Sequence, residues 1–213
     1  MLSIGMANPY VLYYTPGACS ISPSIALREA QLPFEMVRVD LRAKKLVDSD
    51  GDWLAINPKG YVPALKLPDG EVLTEGAVMV RYIADQVPAL QLAPPAGTLA
   101  RIRHDEWLHF IATELHKGSS PLYNPAANDE FKKALKDRLA LRFGVLADGV
   151  RAQPYLMGER FTVADGYAFY VMRSWIHAIK DNLDRWPQLT AYYQRLAARP
   201  SVAAALAAEK LSA

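Results

Sequence analysis

The stretch YVLYYTPGACSISPSIALRE, residues 10–29, decides the fold. The apolar run Tyr10 to Tyr14 reads as a buried strand. Ser20 to Leu32 reads as a helix with Ile25, Ala26 and Leu27 on its apolar side and Pro23 in the first turn, where proline is tolerated. Between them stands Cys19, the only cysteine of the chain. A thiol at a strand-to-helix junction faces the positive end of the helix dipole and several unpaired backbone N–H groups, and both favour thiolate over thiol. A free cysteine is also commonly a small buried hydrophobe. Position alone leaves both readings open. In Cys19-Ser20-Ile21-Ser22, serine stands where a dithiol motif would have its second cysteine. Such a site cannot close an intramolecular disulfide, but it can form a mixed disulfide with an external thiol or hold a thiol without redox chemistry. Ser20 and Ser22 are equally suited to capping the helix.

Moving outward, Phe34 to Val39 alternates apolar and polar residues with the period of a half-buried strand. Lys44 to Ile56 is weaker and charged, a candidate short irregular helix. Val62 to Leu67 and Glu71 to Leu73 flank Pro68-Asp69-Gly70, a hairpin signal, and Glu75 to Val87 is helical. The run QVPALQLAPPAG, residues 86–97, is the best linker. Beyond it everything reads as helix: Leu99 to Leu115, Glu130 to Val150, Val163 to Ile179, Leu189 to Ala198 and Ser201 to Ala208. The spacing predicts an α/β domain over residues 9–90 and an all-helical domain over 97–213, each with its own core.

Composition narrows the class. Apolar residues make up 51% of the 213 and charged residues 22%, with a formal net charge of +2. That balance gives no support for nucleic-acid binding. One cysteine excludes an internal disulfide framework and a cysteine-based zinc site, and it suits a reducing, cytoplasmic compartment. The opening MLSIGMANPY lacks the basic and apolar regions of a signal peptide, with Met6 as a second candidate start. No run of about 18 apolar residues predicts a membrane span.

Four further constellations carry chemistry. Val62-Pro63, in INPKGYVPALKL, would turn the Val62 backbone outward to pair with an extended peptide ligand if the bond is cis; otherwise Pro63 simply starts a strand. Thr74-Glu75-Gly76 opens a helix whose free N–H groups attract a carboxylate, while Glu75 suits an ammonium or simply the helix dipole. In EWLHFIATELHKG, Glu106, His109, Thr113 and His116 share one face at α-helical spacing, a hydrogen-bonding wall or a solvated face. His109 and His116 would be roughly 10.5 Å apart along the axis, too far for one metal ion, so no metal site is expected. Finally, Thr162 and Asp165 form a capping box in which Asp165 is structural, with Gly166 leaving the hydrophobic staple incomplete.

Together these residues resemble the cytosolic glutathione S-transferase family, most closely its bacterial beta class. The runs that carry the resemblance are YYTPGACSISPSIALRE, VDLRAKK, LAINPKGYVPAL, LTEGAVMVRYIAD, EWLHFIATELHKG and FTVADGYAF, in the expected order over most of the chain. The resemblance implies a thioredoxin-like N-terminal domain that binds glutathione, an all-α C-terminal domain, and a homodimer. It places Cys19 beside the glutathione sulfur, within reach of a mixed disulfide. Val62 would pair with the cysteinyl backbone beside a cis Pro63, Glu75 and Gly76 would take the γ-glutamyl end, and Lys44 the glycine carboxylate. His109, Thr113 and His116 would form the helical wall, with His109 where the family pattern has asparagine. The helix N-terminus after Cys19, Ser20 and His116 are the candidates for stabilising the thiolate; Tyr14 does not fit the activating position of other classes. Trp175, Tyr167 and Met172 would line the acceptor side or belong to the core. The implied activity is conjugation of glutathione, the co-substrate, to small electrophiles in detoxification, with thiol–disulfide exchange through Cys19 as a secondary reaction. No other cofactor is implied. A glutathione-binding carrier without turnover and a glutaredoxin-like thiol transferase are the alternatives, the last weakened by the long helical half.

Overall fold

A computed structural model describes residues 8–213; the readings of the first seven residues, Met6 among them, lie outside the described residues. Strand β1 (Tyr10–Tyr14) is the middle of a five-stranded sheet of order β3-β2-β1-β4-β5. It pairs in parallel with β2 (Phe34–Asp40), reached through helix α1 (Ile21–Glu29), and antiparallel with β4 (Ala64–Lys66). A βαβ unit thus supplies one half of the sheet and the β4–β5 hairpin (β5 Val72–Leu73) the other. Pro68, Asp69 and Gly70 make the hairpin turn, Gly70 at φ +97°. Helix α3 (Gly76–Asp85) closes this half.

The stretch from Lys44 to Ile56 is not one irregular helix. It holds β3 (Lys45–Leu46), added antiparallel to the edge of β2, and the four-residue α2 (Trp53–Ile56). The Asp52 carboxylate starts α2 by accepting from the Leu54 N–H at 3.0 Å, and Trp53 is fully buried.

Helix α4 (Leu99–Phe110) begins at Thr98, whose hydroxyl accepts from the Arg101 N–H at 3.2 Å. It runs on without a break as a π-helical segment, Ile111–Lys117. Then come α5 (Asp129–Gly149), α6 (Val163–His177), α7 (Pro187–Ala197) and α8 (Pro200–Ala208). The capping box at the start of α6 is present. No helix among the described residues is long and apolar enough to cross a membrane.

The expectation of one core per domain fails. A single apolar cluster runs from Leu12 and Leu65 in the sheet, through Ile21, Ile25 and Leu27 of α1 and Ile83 of α3, into Leu108, Phe169, Trp175 and Tyr192 of the helical half. The reason is α1, which packs on β1 and α3 and also on α6 and α8. All seven residues from Ile21 to Leu27 are buried, so this helix has no solvent face along its first two turns. Gly166 permits the approach: a Cβ there would stand 3.3 Å from Ile25 Cγ2. The staple residue missing from α6 is therefore replaced by contact with α1. Each fully buried Leu or Ile contributes roughly 1.5–3 kcal/mol, and those of α1 stabilise both halves at once. A smaller cluster on the other face of the sheet joins Tyr13, Val39, Trp53, Val62 and Ala64, with the Tyr13 and Trp53 rings 5.2 Å apart.

Candidate active site

The β1–α1 loop is closed by its own polar groups. Ala18 N–H donates to Thr15 O at 3.0 Å, Ile21 N–H to Ala18 O at 3.1 Å, and the Thr15 hydroxyl to Val39 O at 2.8 Å. Ser20 is fully buried, and its hydroxyl accepts from the Thr15 N–H at 3.4 Å and donates to Thr15 O at 3.3 Å. It caps no helical N–H; its bonds close the loop rather than face the sulfur. Nor does Ser22 cap: it lies inside α1 with its hydroxyl buried and without a partner among the described residues.

Cys19 sits at the end of this loop, partly buried, and Sγ donates to Val62 O at 3.2 Å. The expected thiolate is not what this setting favours. Burial pushes the Cys19 thiol up to about 12. Its own backbone N–H and the Lys117 charge pull it down, and the Glu209 and Glu75 carboxylates push it up again. Desolvation of the sulfur outweighs the helix N-terminus.

Val62-Pro63 is cis. The Val62 carbonyl carries the Cys19 bond, while no partner of the Val62 N–H is found among the described residues. Pro63 leads toward Gly76, the first residue of α3: a Cβ on Gly76 would lie 3.7 Å from the Tyr167 hydroxyl oxygen and 4.0 Å from Pro63 Cγ. Glu75, just before α3, has φ +67° and ψ 106°, a backbone conformation that costs a non-glycine residue about 1–3 kcal/mol. Its exposed carboxylate pairs with Lys59 Nζ at 2.7 Å, and that ammonium also donates to the Thr74 hydroxyl at 3.0 Å. Lys44, at φ +58°, donates to Gly60 O at 2.9 Å, which braces the segment leading to Val62.

The helical half supplies the other side of the site. The polar stripe on α4 does not form one face, because the chain changes from α to π winding at Ile111. His109 and Thr113 are exposed and bond their own helix: His109 Nδ1 lies 2.8 Å from Asp105 O, and the Thr113 hydroxyl donates to His109 O at 2.9 Å. Glu106 pairs with Arg103 in solvent. His116 alone turns inward. Its Nδ1 lies 2.8 Å from the Tyr167 hydroxyl, and its ring meets Tyr170 edge-on at 5.0 Å. Burial depresses His116 to about 4, and the adjacent Lys117 charge adds to this. The imidazole is therefore neutral at pH 7. Burial also raises Tyr167 and Tyr170, with the Cys19 sulfur the next contributor to each.

The structure thus joins Cys19, Val62, Pro63, Gly76 and His116 through Tyr167, and leaves Lys44, His109 and Thr113 outside that contact network. Trp175 and Met172 belong to the core, Trp175 with its indole N–H on Asn182 O at 2.9 Å. Sequence reasoning missed three residues here, Lys117, Lys59 and Glu209, and it set Tyr167 on the acceptor side or in the core without its contact to His116. Tyr167 follows the capping box directly, and Lys117 follows His116, with Nζ 5.2 Å from the Tyr61 ring centroid. Lys59 and Glu209 carried no local signal at all. Among the described residues no group of three or more His, Cys, Asp or Glu is placed to hold a metal ion.

Known proteins share this architecture. The family model for the glutathione S-transferase N-terminal domain matches residues 18–86, and that for the C-terminal domain residues 110–200. Glutathione S-transferase GstA of Escherichia coli O157:H7 is 44% identical over 200 residues, which is 94% of this chain and 98% of that protein. The structure of BphK, a bacterial glutathione S-transferase in a ternary complex, superimposes with a TM-score of 0.91 at 50% identity, covering 94% of this chain and all (100%) of the other. The beta-class enzyme of Sphingomonas chungbukensis gives 0.89 at 42% identity, over 95% of this chain and 100% of its own. With both domain models matched in order and such identity over nearly its whole length, the chain belongs to the glutathione S-transferase family.

Proposed function

We propose that this protein is a glutathione transferase that conjugates the glutathione sulfur to small electrophiles, working as a cytoplasmic homodimer with domains over residues 9–90 and 97–213. The observation that carries this reading is that the Cys19–Val62 and Tyr167–His116 contacts come together around Gly76 and Pro63. Glutathione would lie along Val62, its cysteinyl carbonyl taking the free Val62 N–H and its cysteinyl N–H competing with the Cys19 thiol for the Val62 carbonyl. The γ-glutamyl carboxylate would meet the first-turn N–H groups of α3 at Gly76, with its ammonium on Glu75. Lys44 would need to leave Gly60 to reach the glycine carboxylate, and His109 and Thr113 would serve as outer contacts.

The reaction needs a stabilised glutathione thiolate. A Cys19 that keeps its proton is a hydrogen-bond donor to that thiolate, not a competing anion. Neutral His116 and Tyr167 offer further donors, and Lys117 a positive charge. The thiolate attacks the electrophilic carbon, a carbon–sulfur bond forms, and the leaving group departs with its electron pair. Ser20 acts through the loop rather than on the sulfur. Thiol–disulfide exchange would need Cys19 to ionise and attack glutathione disulfide, releasing glutathione thiolate; burial of Sγ makes this the slower reaction.

The test is an assay with a chloronitrobenzene acceptor and glutathione. Turnover is expected, and Cys19→Ala should slow conjugation without abolishing it, since His116, Tyr167 and Lys117 remain, while losing the glutathione mass adduct. An adduct that persists in Cys19→Ala overturns the role of Cys19. No rate above background with several acceptors favours the carrier instead.

A further inference from the structure

We propose that Glu209 is a positioning residue for the Cys19 loop: from the far end of the chain its carboxylate holds the Gly17 N–H, and its charge governs both the grip on that loop and the readiness of Cys19 to ionise. Glu209 Oε2 accepts from Gly17 N–H at 2.9 Å across a sequence separation of 192 residues. Gly17 stands two residues before Cys19 with φ +76°, a conformation that only glycine adopts at no steric cost. None of the internal loop bonds described above uses the Gly17 N–H, so Glu209 is its holder among the described residues.

The carboxylate itself is under-satisfied. Glu209 is 5% exposed, yet Oε1 is buried with no partner among the described residues. The charged groups that face it are Arg173 of α6 and Arg28 of α1, with Cys19 on the loop. Neither arginine makes an ion pair with it among the described residues. The Arg173 guanidinium instead donates to Ser212 O at 2.8 and 3.1 Å, which ties down the segment that follows Glu209. Burial pushes Glu209 up to about 7, against the Gly17 bond and the two arginine charges. Above that pH the carboxylate is charged, its bond to Gly17 is strengthened, and its field disfavours a thiolate at Cys19. Below it the acceptor is weaker and the field is gone.

The inference concerns the loop of the site proposed above, but its test does not need turnover. Cys19 is the only thiol, so iodoacetamide reports on it alone. In wild type the logarithm of the alkylation rate should bend below proportionality to pH near neutrality. In Glu209→Gln, which keeps an acceptor and loses the charge, it should rise in a straight line. Glu209→Ala should alkylate about five- to tenfold faster than wild type at pH 8 and show a raised glutathione KM. Protection of the Gly17 amide against hydrogen exchange, corrected for intrinsic rates, should fall in wild type as pH drops from 8 to 6; this needs no variant to fold. Superimposable alkylation profiles, or Gly17 protection that ignores pH, overturn the proposal. Normal alkylation contrasts with no glutathione turnover would instead sink the transferase reading and leave Glu209 in its role.

Discussion

Two buried carboxylates stand at opposite ends of the α6–α8 region, and the chain treats them differently. Asp165, in the first turn of α6, accepts from four donors: Thr162 N–H at 2.7 Å, the Thr162 hydroxyl at 3.0 Å, Leu156 N–H at 2.9 Å and the Tyr192 phenol at 2.6 Å. Glu209, just past α8, accepts from one. Burial pushes both carboxyls up. At Asp165 all four hydrogen bonds pull back toward the charged form. The number of donors thus separates a carboxylate that ties α6 to α7 from one left near its titration point beside a thiol. Desolvation is common to both; only satisfaction differs.

The largest expected effect follows from removing each side chain. Asp165→Ala would leave buried N–H and O–H groups of Leu156, Thr162 and Tyr192 without acceptors, a loss of at least ~3 kcal/mol. Glu209→Ala strands only the Gly17 N–H and relieves a buried charge, so its cost at pH 8 should stay below ~1 kcal/mol. Urea unfolding of the two variants measures this directly. Equal losses would erase the distinction between the regions.

The next effect is a dependence on pH. The folded Glu209 carboxyl, at about 7, holds its proton well above its ordinary value of 4.5. Between those values the folded chain binds a proton that the unfolded chain has released. The stability this supplies is complete below 4.5 and lost as pH rises through 7, about 3 kcal/mol in all. His104 and His116, which burial depresses to about 4 from 6.5, slope the other way: their stability is present above 6.5 and lost as pH falls toward 4. Subtracting wild type from Glu209→Gln cancels the histidines. That difference should favour the variant increasingly from pH 5 to 8, and a flat difference would show that Glu209 does not titrate there.

What could be read in advance follows the same division between local and distant causes. Strand β1, the hairpin turn and the capping box rest on neighbours within a few residues, and their periods and caps are visible in the chain. The wall on α4 was misjudged because α spacing was assumed where seven residues wind as a π-helix, which carries His116 inward and leaves Thr113 outside. The separate cores were misjudged because α1, buried on both sides, shows no strong face to reveal its second partner. The state expected of Cys19 weighed the helix N-terminus, which is local, without the burial and the Glu209 charge, which arrive from the other half. Tyr167, one helical turn after Val163, is legible as a residue of the acceptor side or the core, but its bond to His116 is not, because that needs the π winding of Ile111–Lys117. Nor is the Gly17–Glu209 bond, since nothing in the C-terminal run distinguishes one glutamate from any solvated one.

The smallest effect isolates one donor. Tyr192, fully buried on α7, gives Asp165 Oδ1 its shortest bond, at 2.6 Å. Phenylalanine keeps the ring and its packing and removes only the hydroxyl, so Tyr192→Phe should cost about 1–2 kcal/mol, within the range for taking one partner from a buried acceptor. Three donors remain on Asp165, which is why the loss stays below that of Asp165→Ala. Because the phenol favours the charged carboxylate, its removal makes Asp165 hold its proton more tightly, and the penalty should grow as pH rises. The alkylation profile of Cys19 should not move, since Tyr192 touches neither Gly17 nor Glu209. A profile that did move would mean that strain at the start of α6 reaches the Cys19 loop through the shared packing of α1, and the two carboxylates would then be parts of one device.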